Sequence, residues 1–109
     1  MPEPAFSYEA IDVPLSAGVP KDVVVPVNHA RDWMVLIENT GSNPLTGLSM
    51  ARAPVAEHFE TPSSVAAGIP LAAGSKLAPI EGRGEPVQSL LLRLTSSSGT
   101  TVTIRGAGG

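Results

Sequence analysis

Proline punctuates this chain so evenly that it excludes most helices. Eleven prolines are spread over 109 residues. Those at 14, 20, 26, 44, 54, 62, 70, 79 and 86 leave few windows long enough for a helix of ordinary length, roughly 11–12 residues. Eleven glycines share the work of breaking the chain. What remains between the breaks is short and alternates in polarity, the pattern of strands joined by turns.

The clearest such stretch runs from Asp32 to Met50. Trp33, Val35 and Ile37 fall on one face of an extended chain, and Met34, Leu36 and Glu38 on the other. Aromatic and β-branched residues suit a pleated, half-buried surface. The run stops at Asn39-Thr40-Gly41-Ser42-Asn43-Pro44, a polar turn, and Leu48 and Met50 lie on a returning strand. The second clear stretch is Val87 to Thr95, with Leu90, Leu92 and Leu94 on one face. Ser96-Ser97-Ser98-Gly99 reads as a hairpin loop. Thr100 to Arg105 then returns with Val102 and Ile104 inward.

The weaker segments complete the set. Ile11, Val13 and Leu15 alternate with Asp12, Pro14 and Ser16, an edge strand because Pro14 cannot donate to a ladder. Asp22 to Val27 is a strand with Val23, Val25 and Val27 inward. Pro54 to Glu60 fits one helical turn or an irregular segment. Thr61 to Ala67 reads as a loop, Ser75 to Ile80 as a short strand and residues 81–86 as a flexible loop. The sum is an all-β fold, a single antiparallel β-sandwich of about seven short strands. Its expected limits are an extended N-terminal arm over 1–10, a sandwich over 11–105 and a flexible tail over 106–109. One inner face should hold Trp33, Val35, Ile37 and Leu48, the other Leu90, Leu92, Leu94, Val102 and Ile104.

Composition narrows the function. Charged residues make up 16% of the chain, 10 acidic and 7 basic, for a net charge of -3. The charges are scattered singly. Without basic clusters a nucleic-acid partner is not expected, since phosphates need Lys and Arg. No stretch approaches a membrane span. With few charges to keep copies apart, part of the surface is expected to be covered in an assembly. Cysteine is absent, so neither disulfides nor thiolate chemistry is available. The first residues lack the basic and apolar regions of a secretion signal, which leads to the expectation of a protein folded in the cytoplasm.

A search for chemistry returns little. His29 and His58 fit no zinc spacing. Glu57 and Glu60 beside His58 lack the alternating oxygen ligands of a calcium loop. Gly82-Arg83-Gly84 lacks the Gly-Lys-Ser/Thr ending of a phosphate loop. Glu81 and Glu85 share that loop with no sign of burial. No catalytic, cofactor-binding or metal-binding residue is expected, and no cofactor. Candidate contact residues are Phe6 and Tyr8, which share a face of the arm, Pro14 on the edge strand, and Arg83 in its loop.

The stretch Trp33-Met34-Val35-Leu36-Ile37-Glu38-Asn39-Thr40-Gly41-Ser42-Asn43-Pro44-Leu45 resembles the corner of immunoglobulin-like modules of bacterial and phage proteins. Their pattern there is V-x-N-T-G-x-x-x-L. Leu71-Ala72-Ala73-Gly74 and Thr100-Thr101-Val102-Thr103-Ile104 are similar to later parts of the same modules, so the resemblance covers roughly residues 11 to 105. The cysteines of antibody domains are missing. A weakly charged β domain without a signal looks like a component of a tailed-phage virion, such as a capsid decoration (cement) protein. The resemblance implies a structural protein, made in the host cytoplasm, that binds a major capsid or other virion protein on the outside of a phage head as a homo-oligomer or lattice-bound subunit, by surface burial and by pairing of its edge strand or N-terminal arm. The alternative is a carbohydrate- or ligand-binding sandwich module of a bacterial or phage surface protein.

Overall fold

A computed structural model describes residues 6–27, 32–53, 59–65, 68–83 and 87–108; the side chains of Phe6 and Arg83 lie outside that set. Eight strands form two sheets: β1 (Phe6–Leu15), β2 (Lys21–Pro26), β3 (Asp32–Asn39), β4 (Gly47–Ala53), β5 (Ser63–Ser64), β6 (Ile80–Arg83), β7 (Ser89–Thr95) and β8 (Thr100–Gly108). The first sheet has the order β1-β8-β3-β6 and the second β2-β7-β4-β5. All pairings between strands are antiparallel. The fold is the expected all-β sandwich.

The core lies between the sheets. Val35, Ile37, Val102 and Ile104 come from the first sheet, and Val25, Leu48, Leu90, Leu92 and Leu94 from the second. Every residue expected to face inward is buried, but their division between sheets differs from the sequence reading. Leu48 stands on the second sheet and Val102 and Ile104 on the first. The reason is that neither expected hairpin is one. β3 and β4 belong to different sheets, as do β7 and β8, and only the β4–β5 connection stays within a sheet.

The corners show why the chain crosses. Ser96 is buried rather than at a wet hairpin tip, and its hydroxyl donates to the Pro44 carbonyl at 2.7 Å. Gly99, at φ 82, takes the left-handed turn that follows, a conformation open to glycine. At the other corner Asn39 is fully buried. Its Nδ2 donates to the carbonyls of Asn43 at 2.8 Å and Leu71 at 3.0 Å. Gly41 presses against Thr100 and Thr101, where a Cβ would have no room. Both corners are thus tied to each other at one end of the sandwich.

Other boundaries differ too. The strand expected over 75–80 forms at 80–83, inside the expected loop, because Gly82 lets the chain close over the Trp33 indole; a Cβ there would strike the ring. β5 lies within the expected loop of 61–67. Residues 6–10 of the expected arm continue β1, and β8 runs through Gly106 and Ala107 to Gly108, held by β1 on one side and β3 on the other. Residues 1–5, and residues 54–58 of the segment expected as one helical turn or irregular chain over 54–60, lie outside the described residues.

β1 and β2 are the outermost strands on one side of the sandwich. Pro14 and Pro26 sit on these edges, where a missing N–H costs no ladder bond. β1 also bulges between Ala10 and Val13. Asp12 adopts φ 50 there; its amide donates to Thr103 Oγ1 at 3.1 Å and its carboxylate accepts from the Thr40 hydroxyl at 2.8 Å. Bulges and prolines discourage edge-to-edge pairing.

Candidate docking face

The alternation that buries Trp33, Val35 and Ile37 must aim Met34 and Leu36 the other way. Both are large and apolar, and both remain exposed, at 38% and 42%. Pairing places Ala107 beside Met34 and Arg105 beside Leu36. One cross-strand row of the outer face is therefore Ser7, Ala107, Met34, Glu81, and the next is Glu9, Arg105, Leu36. The middle of this face is apolar, with charge beside it.

The second sheet differs. Its comparable outer row is Val24, Leu91, Ala51. Leu91 and Ala51 are buried and only Val24 is exposed. The open apolar centre belongs to the first sheet.

A groove opens next to Leu36 because the neighbouring chain bulges. Lys76 stands opposite Glu38, the Leu77 amide bonds the Ile37 carbonyl at 2.8 Å, and Ile80 pairs with Val35. Two residues, Ala78 and Pro79, therefore oppose Leu36 alone. Pro79 has no N–H to join a ladder, and bulges of this kind re-aim side chains at the rims of sheets. The resulting groove holds about 280 Å³ between Leu36, Leu77, Pro79, Lys76, Thr103 and Arg105. A shallower dent of about 110 Å³ continues it over Met34 and Ala107.

Charge on this face is local and paired. Arg105 Nε donates to Glu9 Oε2 at 2.8 Å, and its Nη1 lies 3.9 Å from Glu38 Oε1. Such half-exposed pairs contribute little to stability, roughly 0–1 kcal/mol. They do tether the guanidinium of Arg105, the residue paired with Leu36. On the second sheet Arg93 grips Asp22 through Nε at 2.8 Å and Nη2 at 3.1 Å. Those hydrogen bonds hold the Asp22 carboxyl below its ordinary value against the opposing effect of burial, and the attraction of the Arg93 charge adds to them.

The contact residues expected from sequence are not gathered in one place. Tyr8 is half-buried and packs against the protein's own core. Phe6 pairs its backbone with Gly108, and Arg83 pairs with Asp32 on the opposite edge of the sheet. Pro14 is exposed near the far end of β1, opposite Thr101. His29, His58, Glu57 and Glu85 lie outside the described residues. Among the described residues no three His, Cys, Asp or Glu side chains gather as metal ligands. Met34 and Leu36 were missing from the expected contact set, although their place on the polar side of the Trp33 strand marks them.

No protein-family model and no curated protein matches the sequence. Solved structures do match. Chitosan-binding module 1 derived from a chitosanase/glucanase of Paenibacillus sp. IK-5 superposes with a TM-score of 0.54 at 8% identity, over 94% of this chain and 76% of that one. A chain from the structure of infectious bursal disease virus, Gx strain, superposes with a TM-score of 0.53 at 14% identity, over 94% of this chain and 32% of that one. This chain therefore spans about a third of the virus chain. Identities this low speak for the fold, and the fold they share with this chain is the β-sandwich.

Proposed function

We propose that this domain is a structural virion protein, a decoration (cement) module seated on the outside of a phage head through the outer face of its first sheet. The observation that carries the reading is the exposed pair Met34 and Leu36 at the centre of that face. Neighbouring large apolar side chains left open on a folded sheet mark a surface built to be covered. The sparse charge of the chain supports the same use, because little repulsion opposes its packing into a lattice. A chain from a virus structure is among the proteins that share the fold. Among the described aromatic side chains the carbohydrate-binding alternative finds no open ring. Trp33 is buried and Tyr8 and Phe59 are half-buried, so none of these rings is fully open for a sugar to stack on.

The test is made on particles. Heads assembled from the capsid protein encoded beside this gene are incubated with the purified domain and pelleted. The domain is expected in the pellet at a fixed ratio to the capsid protein, and Leu36→Asp is expected in the supernatant. A wild-type domain that stays in the supernatant, or a gene with no capsid or tail gene beside it, overturns the proposal.

A further inference from the structure

The outer face of the second sheet carries a cleft of a different kind. It holds about 330 Å³, at the small end of ligand pockets, roughly 300–1,000 Å³. Leu48, Leu92 and Leu94 point into the core, so alternation turns Ser49, Arg93 and Thr95 outward. Pairing sets Asp22, Arg93, Ser49 and Ser64 in one polar row across all four strands. Thr95 stands opposite Gly47 in the next row, where the missing side chain leaves the cleft open.

The lining selects its guest by exclusion and by fit. Among the described residues that line the cleft, Arg93 alone is ionised, and Asp22 holds it through Nε and Nη2. A charged guest therefore meets no uncompensated partner. The same lining contains no aromatic ring, so a flat aromatic guest has nothing to stack on. An extended peptide cannot add to β4 here, because β5 already pairs Ser64 with Ser49 and Ser63 with Met50. Hydroxyls are what the cleft offers. The Thr46 hydroxyl is tied to the Thr95 carbonyl at 3.2 Å. Among the described residues the hydroxyls of Ser49, Ser64 and Thr95 have no hydrogen-bond partner, and each can donate and accept. Ser49 and Ser64 stand on neighbouring strands about 5 Å apart, and Thr95 lies two residues from Arg93 along β7, about 7 Å. Those spacings match one six-membered ring with its hydroxyl substituents. Val65 and Ile69, half-buried against the core, give the same cleft an aliphatic wall.

We infer that this cleft binds one uncharged sugar ring, free or as a unit of a glycan. The ring hydroxyls exchange hydrogen bonds with Ser49, Ser64 and Thr95 and accept from the Arg93 N–H groups that Asp22 leaves over. The C–H groups of the ring lie on Val65 and Ile69. With an aliphatic wall in place of a stacking platform, affinity is in the millimolar range. The cleft is on the sheet opposite Met34 and Leu36, so a domain seated through its first sheet presents it outward. The inference does not depend on that seating.

The experiment is an amide-detected NMR titration of the full chain with methyl α-D-glucopyranoside, methyl β-D-galactopyranoside, methyl α-D-mannopyranoside and N-acetylglucosamine. At least one is expected to shift the amides of Ser49, Ser64, Ile69 and Thr95 saturably. Ser49→Ala and Thr95→Val are each expected to weaken that sugar about threefold to tenfold, the loss of one hydrogen bond, with the rest of the spectrum unchanged as proof of folding. No binding by any of these sugars, shifts outside the cleft, or undiminished binding by both variants overturns the inference. The trisaccharide of the sugar that binds tells the sources apart: binding at least as tight places a glycan unit in the cleft, and exclusion places a free sugar there. Sedimentation with heads separates this assignment from the virion reading. If no sugar binds while the wild type pellets, the cleft assignment falls and the virion reading stands. If a sugar binds in the cleft and the wild type never pellets, the virion reading falls and the cleft assignment stands.

Discussion

The hydroxyl of Thr100 donates to Asn39 Oδ1 at 2.9 Å, across 61 positions of sequence. The same oxygen accepts the Gly41 amide at 3.2 Å, and the two Nδ2 hydrogens go to Asn43 and Leu71. Both donors and both acceptor sites of one buried carboxamide are filled. Three separate stretches of chain meet there, including both corners that carry the chain from sheet to sheet.

A node of this kind predicts an order of losses. Asn39→Ala strands two carbonyls, a hydroxyl and an amide, and should cost about 2–4 kcal/mol. Asn39→Asp should cost more, because a carboxylate cannot donate to the two carbonyls and is itself buried. Thr100→Val removes one partner of four and should cost about 1 kcal/mol. Urea midpoints rank the three. If Thr100→Val proves as damaging as Asn39→Ala, the carboxamide is not the shared tie described here.

Two glycines separate close packing from backbone geometry. A Cβ on Gly82 would lie on the Trp33 indole, whereas one on Gly74 would meet nothing. Gly74 has φ 76, so Gly74→Ala should cost only the left-handed penalty, about 1–2 kcal/mol. Gly82→Ala should displace the ring and cost about 1–3 kcal/mol. Trp33 is the sole tryptophan, so its fluorescence reads the difference directly. The emission should shift to the red in Gly82→Ala and stay in place in Gly74→Ala. A red shift in both variants would mean that the indole answers to global loosening rather than to Gly82.

Much of this architecture was legible because burial follows a period of two. Trp33, Val35, Ile37, Leu90, Leu92 and Leu94 needed only their spacing to be placed inside. Sheet membership was not legible. Alternation says which side of a strand is apolar, and it is the same for a hairpin and for a corner that crosses the sandwich. The deciding facts are contacts distant in sequence: Ser96 to Pro44, Thr100 to Asn39, Asn43 to Gly99. The strand at 80–83 was hidden for a related reason. Gly82 and Arg83 read as loop residues until Trp33 is seen filling the space that the missing side chain leaves. The open face could have been found, since Met34 and Leu36 are apolar where the period demands polar residues. The groove could not, because it depends on the register slip of Ala78 and Pro79 past Leu36.

The Asp22–Arg93 pair gives a pH dependence with a definite sign. The Asp22 carboxyl lies below its ordinary value of 3.8 because Arg93 hydrogen-bonds the ionised form. A carboxyl with a depressed folded pKa contributes stability above its unfolded pKa and loses it as pH falls through the folded one. The stability difference between wild type and Asp22→Asn should therefore be present near neutrality, begin to shrink as pH drops below 3.8, and vanish in stronger acid. Both side chains are nearly half exposed, so the difference should also shrink in about 1 M salt, where screening acts over ~3 Å. Denaturant titrations at several pH values measure it. A difference that grows in acid would contradict the pairing.

Leu36 and Ile37 are adjacent in sequence and opposite in consequence. Ile37 is 1% exposed within the core, whereas Leu36 is 42% exposed on the outer face. Thr has the β-branched shape that strands favour and replaces apolar surface with a hydroxyl. Leu36→Thr should leave stability within about 0.5 kcal/mol of wild type, as for other exposed positions. Ile37→Thr should lose about 2–4 kcal/mol, because it opens a cavity and buries a hydroxyl in an apolar setting. Binding to heads should reverse the ranking. At temperatures where both variants are folded, Ile37→Thr should pellet like wild type and Leu36→Thr should pellet poorly. A Leu36→Thr domain that is stable and still pellets fully would show that the outer face of the first sheet is not where the partner sits.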